Sequence, residues 1–109
     1  MVSESYQKKI KDSVTEKFGA IGVDEDTINE LVSVSIESLN DELSKIDAIL
    51  NGGNIKDLGI HTHTIKGILL NVGLEDDANQ FKEIKHLFEE GKTEDEIKQI
   101  TLTKIEIFK

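Results

Sequence analysis

Apolar residues recur at helical spacing along nearly the whole chain. Val2, Tyr6, Ile10, Val14 and Phe18 fall four residues apart and mark a narrow stripe on a helix over about residues 3–18. The segment GAIGVDED interrupts it. Ile28, Leu31, Val32, Leu39, Leu43, Ile46 and Leu50 define a second helix over about residues 26–50. Gly52 and Gly53 stop it, because glycine takes the left-handed turn that ends helices. A third stretch starts at Asn54, a good N-cap with Asp57 three residues on, and ends near Gly73. A fourth covers about residues 75–90, with Glu75, Asp76 and Asp77 in its first turn, where the helix dipole favours acids. Its apolar face is Ala78, Phe81, Ile84 and Phe88, and Gly91 closes it. Thr93 with Glu96 forms a capping-box signature ahead of a last helix. That helix carries Ile97, Ile100, Lys104 and Phe108 near one face, with Leu102, Ile105 and Ile107 spreading beyond it.

The connections are short, so neighbouring helices are expected to run antiparallel. The expected fold is all-α: an up-and-down antiparallel four-helix bundle with an additional N-terminal helix. Residues 1–109 form one domain, in which 1–24 are a capping helix and loop and 25–109 are the bundle. One segment conflicts with this. IHTHTI alternates, and Thr and Ile favour strands. It has no strand partner elsewhere, and the helical pattern continues on both sides, so we read it as helix.

Composition narrows the picture. The 109 residues suffice for one core. There is no proline, no tryptophan and little other aromatic content, which fits an all-helical chain. The absence of cysteine excludes a disulfide framework and a thiolate metal site, and it fits a cytoplasmic protein. The net charge of −9, from 22 acidic and 13 basic residues, argues against nucleic acid and against an anionic membrane as partner. The longest apolar run is three residues, as at Ile68–Leu70, so no segment spans a membrane, and the N-terminus lacks the apolar stretch of a signal peptide. With its starting methionine, the chain is expected to be complete and monomeric.

The candidate chemistry lies in IHTHTIKG, residues 60–67. On a strand, His61 and His63 would point the same way and could share a metal. On a helix they are roughly 200° apart and cannot. A helical wheel places Leu58, Ile65, Leu69 and Val72 on the core face, His61 at its margin as a packing residue, and His63 almost directly outward. His86, on the fourth helix, falls off the apolar stripe and reads as a surface residue. Gly59 lies one turn before His63 and Gly67 one turn after it, both outward. Glycine inside a helix costs about 1 kcal/mol relative to alanine, and here it removes side chains where a partner would approach. Lys56 and Lys66 lie toward the same side, and Ile60 and Leu70 add apolar surface there. No serine or cysteine constellation and no phosphate-cradling glycine loop accompanies the histidine. A lone exposed imidazole beside a lysine suits transient phosphorylation, with the partner bringing the rest of the machinery.

HTIKG, followed by Gly73, resembles the signature of histidine-containing phosphotransfer (HPt) domains, matched at His63, Ile65, Lys66, Gly67 and Gly73. The helical pattern resembles the family from about Ile28 to Phe108. The resemblance implies a phosphorelay intermediate without turnover of its own. It would accept a phosphoryl group from the aspartyl phosphate of one response-regulator receiver domain, or of a hybrid sensor histidine kinase, and pass it to another. His63 would be the phosphoacceptor, Lys66 would steady the phosphoryl group, and Gly67 would leave room for the receiver. Gly59, Ile60, Leu70, Lys56 and Lys85 would contribute to binding. The receiver would supply Mg²⁺, and this chain would need no cofactor or metal. Ile68 and Leu69 stand where the family is usually small. Lys85 stands where many members place a glutamine that bonds the imidazole. Lysine can only donate, so either Lys85 faces the phosphoryl group or another group orients the ring. Two alternatives remain open: a helical module that docks partners without phosphotransfer, and a metal-binding bundle using His61 or His63.

Overall fold

Local capping chemistry sets the starts of the first, second and last α-helices. A computed structural model of the chain describes residues 1–81 and 83–109. Its α-helices are α1 (Glu4–Gly19), α2 (Glu25–Leu50), α3 (Leu58–Asn71), α4 (Glu75–Ala78), α5 (Ile84–Glu89) and α6 (Glu94–Ile105). Short 3₁₀ turns at Ile55–Asp57 and Glu106–Phe108 lead into α3 and follow α6. No strand occurs among the described residues. Ser3 accepts from the Tyr6 N–H to start α1, and Asp24 accepts from the Thr27 N–H to start α2. The Thr27 N–H also holds the Asp24 carboxyl below the usual range. Thr93 and Glu96 exchange both bonds of the expected capping box at α6. Asn54 caps the 3₁₀ turn, so α3 proper begins four residues later than Asn54, at Leu58.

The 26-residue α2 is the spine, about 39 Å long at 1.5 Å per residue. Helix α1 turns back along it, and the Val2 N–H reaches Asn40 Oδ1 at 2.8 Å. Helix α3 packs along its C-terminal half, where His61 Nδ1 lies 2.6 Å from Glu42 Oε2. One apolar cluster runs through the whole fold. It takes Tyr6, Ile10 and Val14 from α1, Leu39, Leu43 and Ile46 from α2, and Leu58, Ile65 and Leu69 from α3. Val72, Ala78, Ile84, Leu87, Ile97 and Ile105 continue it through the last elements. The α1 stripe is therefore core rather than surface decoration.

IHTHTI lies wholly within α3, as expected. Its threonines spend their hydroxyls on the helix itself. Thr62 donates to the Leu58 carbonyl at 3.0 Å and Thr64 to the Ile60 carbonyl at 2.9 Å. This back-bonding satisfies polar groups that alternation alone would assign to a strand.

Three expectations need correction. On α2, Ile49 is buried where Leu50 was expected, Leu31 is only partly buried, and Ser35 joins the inner face. On α6 the buried series is Ile97, Thr101, Ile105 and then Phe108, with Ile100 only partly covered. Thr101 is buried because its hydroxyl donates to the Ile97 carbonyl at 2.9 Å, and counting apolar residues alone misses it. The fourth stretch is not one helix. Asn79 closes α4, and i→i+3 bonds from Gln80 to Asp77 and from Phe81 to Ala78 tighten the chain. Glu83 is then extended (φ −63°, ψ 130°) before α5 starts.

Tertiary contacts gather on the residues beside that break. Phe108, with no exposed surface, meets Tyr6 edge-on at 4.8 Å and stacks on Phe81 at 5.9 Å. Asp77 Oδ2 accepts from Tyr6 Oη and from Lys9 Nζ, both at 2.7 Å. The Ser3 N–H donates to the Phe108 carbonyl at 2.7 Å. These contacts hold Asp77, at the end of α4, and Phe81, just past it, against α1 and the C-terminal turn.

Candidate functional site

Helix α3 divides its two histidines between opposite environments. His61 is part-buried against α2, with Nδ1 on the Glu42 carboxylate and its side chain 20% exposed. Lys45 Nζ approaches the other oxygen of Glu42 at 3.7 Å. This histidine is thus committed to a hydrogen-bonding contact with Glu42, a sharper role than packing. His63, two residues on, is exposed on the far side. The two rings have no shared site. His86 is exposed, with Nε2 3.3 Å from Glu83 Oε2 and Nδ1 3.2 Å from Glu89 Oε2. Among the described residues no three acidic or histidine side chains are grouped to hold a metal ion.

His63 lines an open groove between α3 and the start of α5. Its other walls are Gly59, Ile60, Thr64, Glu83, Ile84 and Lys85. Lys56, Gly59, Ile84 and Lys85 line an adjoining depression together with Phe88 and Glu89. Of the residues singled out in the sequence, the groove therefore gathers Gly59, Ile60, His63 and Lys85, with Lys56 next door. Lys66, Gly67 and Leu70 are not part of its wall. They continue along α3 at three, four and seven residues past His63, the spacing of one helix face. Ile60 is 67% exposed and Leu70 41% exposed, so apolar surface flanks the histidine at both ends. A Cβ built at Gly67 meets nothing within 4 Å, which leaves the backbone open to an approaching partner.

Gly73 serves the fold rather than the face. Its φ of +85° makes the turn out of α3, and a Cβ there would lie 3.0 Å from Ser13 Oγ and 3.1 Å from Lys17 Cδ.

Glu83 and Ile84 were not anticipated as groove residues. Two residues apart on one continuous helix, Glu83 and Lys85 would point apart by roughly 200°. The extended Glu83 lets both line the same groove. The signal available beforehand was Asn79, a residue type that often marks the end of a helix.

Taken together, the arrangement defines a class: a small helical domain that displays one histidine at mid-helix, with lysines and apolar residues around it and open backbone beside it. The family model for the Hpt domain matches residues 30–107, well over half of the chain, and the protein belongs to that family. Membership implies phosphotransfer in two-component signalling, association with response-regulator receiver domains, and a carrier's rather than an enzyme's part. Comparison with curated proteins and with solved structures returned no match. No helix among the described residues is long and apolar enough to cross a membrane.

Proposed function

We propose that His63 is the phosphoacceptor of this domain. A ring nitrogen lone pair attacks the phosphorus of a receiver's aspartyl phosphate. The N–P bond forms as the P–O bond to the aspartate breaks, and the carboxylate leaves with the bonding electrons. The second ring nitrogen keeps its proton. Transfer onward repeats the exchange, with the aspartate of another receiver as nucleophile. Lys66 and Lys85 place positive charge near the phosphoryl oxygens in a chain that is otherwise strongly acidic. Gly67 keeps the backbone clear, whereas Gly59, half-buried, sits where a Cβ would lie 3.7 Å from Ile84 Cβ and so serves the packing of α5 on α3; Ile60, Leu70 and Lys56 complete the docking face. The Mg²⁺ that such a transfer uses belongs to the receiver.

The observation that supports this reading best is the exposed imidazole at mid-helix with open space over Gly67. The test is incubation with a phosphorylated receiver, followed by assay for acid-labile, base-stable label. His63→Gln is expected to abolish the label and His61→Gln to leave it. Label that survives His63→Gln and disappears with His61→Gln would overturn the assignment. Stable receiver binding with no label across a range of receivers would instead identify a docking module.

A further inference from the structure

When a neutral imidazole attacks phosphorus, positive charge develops on the ring and is shared by both nitrogens. The remaining N–H becomes a stronger donor. An acceptor facing that N–H does two things: it selects the reactive tautomer before attack, and it stabilises the ring charge during attack. Lys85 cannot supply this, since an ammonium only donates. Thr64 has already given its hydroxyl proton to Ile60, and it offers only a neutral oxygen on the residue next to His63. The Glu42 carboxylate is on the opposite face of α3 with His61. Among the described residues of the groove, Glu83 carries the only carboxylate.

We infer that Glu83 is the positioning residue that orients the His63 imidazole. This rests on His63 being the phosphoacceptor. Three features of Glu83 fit the role. Its extended backbone at the break between α4 and α5 turns it into the groove, across from α3. Its side chain makes no capping bond to α5, so no local backbone duty holds it. Its partner is the exposed His86, at 3.3 Å, and exposed pairs of this kind contribute little. His86 keeps Glu89 at 3.2 Å when Glu83 turns away. In the proposed arrangement the carboxylate leaves His86 for His63, the imidazole that lines the same groove. The interruption of the fourth helical stretch thereby acquires a purpose, because residues two apart on a continuous helix would point apart by roughly 200°, whereas here Glu83 and Lys85 line one groove.

The test uses the full chain with Glu83→Ala and Glu83→Gln, both checked for wild-type helicity. Nitrogen-15 NMR of the His63 ring, recorded where the imidazole is neutral, reads the tautomer ratio. The rate of phosphorylation by a phosphorylated receiver is measured alongside receiver affinity. One tautomer is expected to dominate in the wild type. Glu83→Ala should return the ratio toward that of a free histidine and slow phosphorylation about tenfold, the scale of one lost hydrogen bond to a charged group. Receiver affinity should hold. Glu83→Gln keeps an acceptor oxygen, so it should keep the tautomer and recover part of the rate. A wild-type tautomer ratio and rate in Glu83→Ala would overturn the inference. A wild-type chain that takes no label at all would instead defeat the phosphoacceptor reading.

Discussion

Replacing Gly67 should make the protein more stable and less able to transfer phosphate. Gly67 is the tenth residue of the 14-residue α3, well inside the helix. A Cβ added there meets no atom within 4 Å, so alanine enters without strain. Glycine in a helix interior is about 1 kcal/mol less favourable than alanine, through the backbone entropy it loses on folding. Gly67→Ala should therefore stabilise the fold by about 0.5–1 kcal/mol, which is worth roughly 2–4 °C in Tm for a domain of this size. Leucine is also a strong helix former, so Gly67→Leu should remain folded. Its branched side chain, however, fills the space over the helix next to His63. If overpacking at the docked interface costs about 1–3 kcal/mol, as it does in cores, transfer from a phosphorylated receiver should slow by roughly five- to 150-fold. Thermal unfolding by circular dichroism reads the first effect. The initial rate of phosphohistidine formation reads the second. Gly67→Leu that transfers at the wild-type rate would refute the access argument. A lowered Tm for Gly67→Ala would refute the claim that the position is open.

The second motif glycine should behave oppositely. Gly73→Ala forces a side chain onto a φ of +85° against Ser13 and Lys17, and should cost about 1–2 kcal/mol in urea denaturation, so an unchanged midpoint would contradict the close approach. Tyr6→Phe removes the donor to Asp77 while leaving Lys9 in place; we expect a loss of about 1–2 kcal/mol near neutral pH. Burial, and then the bond to Asp77, push the Tyr6 phenol well above its ordinary range. A group raised on folding stabilises fully below its unfolded value, about 10 for tyrosine, and loses that contribution as pH climbs toward the folded value. The stability gap between wild type and Tyr6→Phe should accordingly hold below pH ~10 and narrow above it. Tyr6 is the single tyrosine in a chain without tryptophan, so the ultraviolet tyrosinate band follows it alone. Phenolate appearing at the pH of free tyrosine while the protein is still folded would contradict the burial.

The parts of this protein legible in its sequence are those governed by local chemistry. The four-residue apolar spacing of Tyr6, Ile10 and Val14 required a helix with one buried stripe, and all three are buried. Thr93 and Glu96 announced the start of α6 through their reciprocal bonds. The split of IHTHTI into an inward His61 and an outward His63 followed from the 100° turn per residue, and the exposures agree. The residues that were misread share a cause. Thr101 and Ser35 are polar by composition, and Thr101 is buried because its hydroxyl bonds within its own helix. The division of the fourth stretch is different in kind. Residues 75–90 have the composition of one helix, with acids at the start and an apolar face throughout.

By itself, then, the sequence determined the helical class, the starts of α1, α2 and α6 and the outward direction of His63, because each depends on residues within a few turns of one another. Only the tertiary structure decided where the chain breaks between α4 and α5, and with it which side chains line the groove beside the imidazole. Beside that break, Asp77 and Phe81 are held by Tyr6, Lys9 and Phe108, contacts that bridge up to 71 positions in the case of Tyr6 and Asp77. Periodicity carries no information about such pairs, since their energy exists only once α1 and the C-terminal turn have closed on the same core.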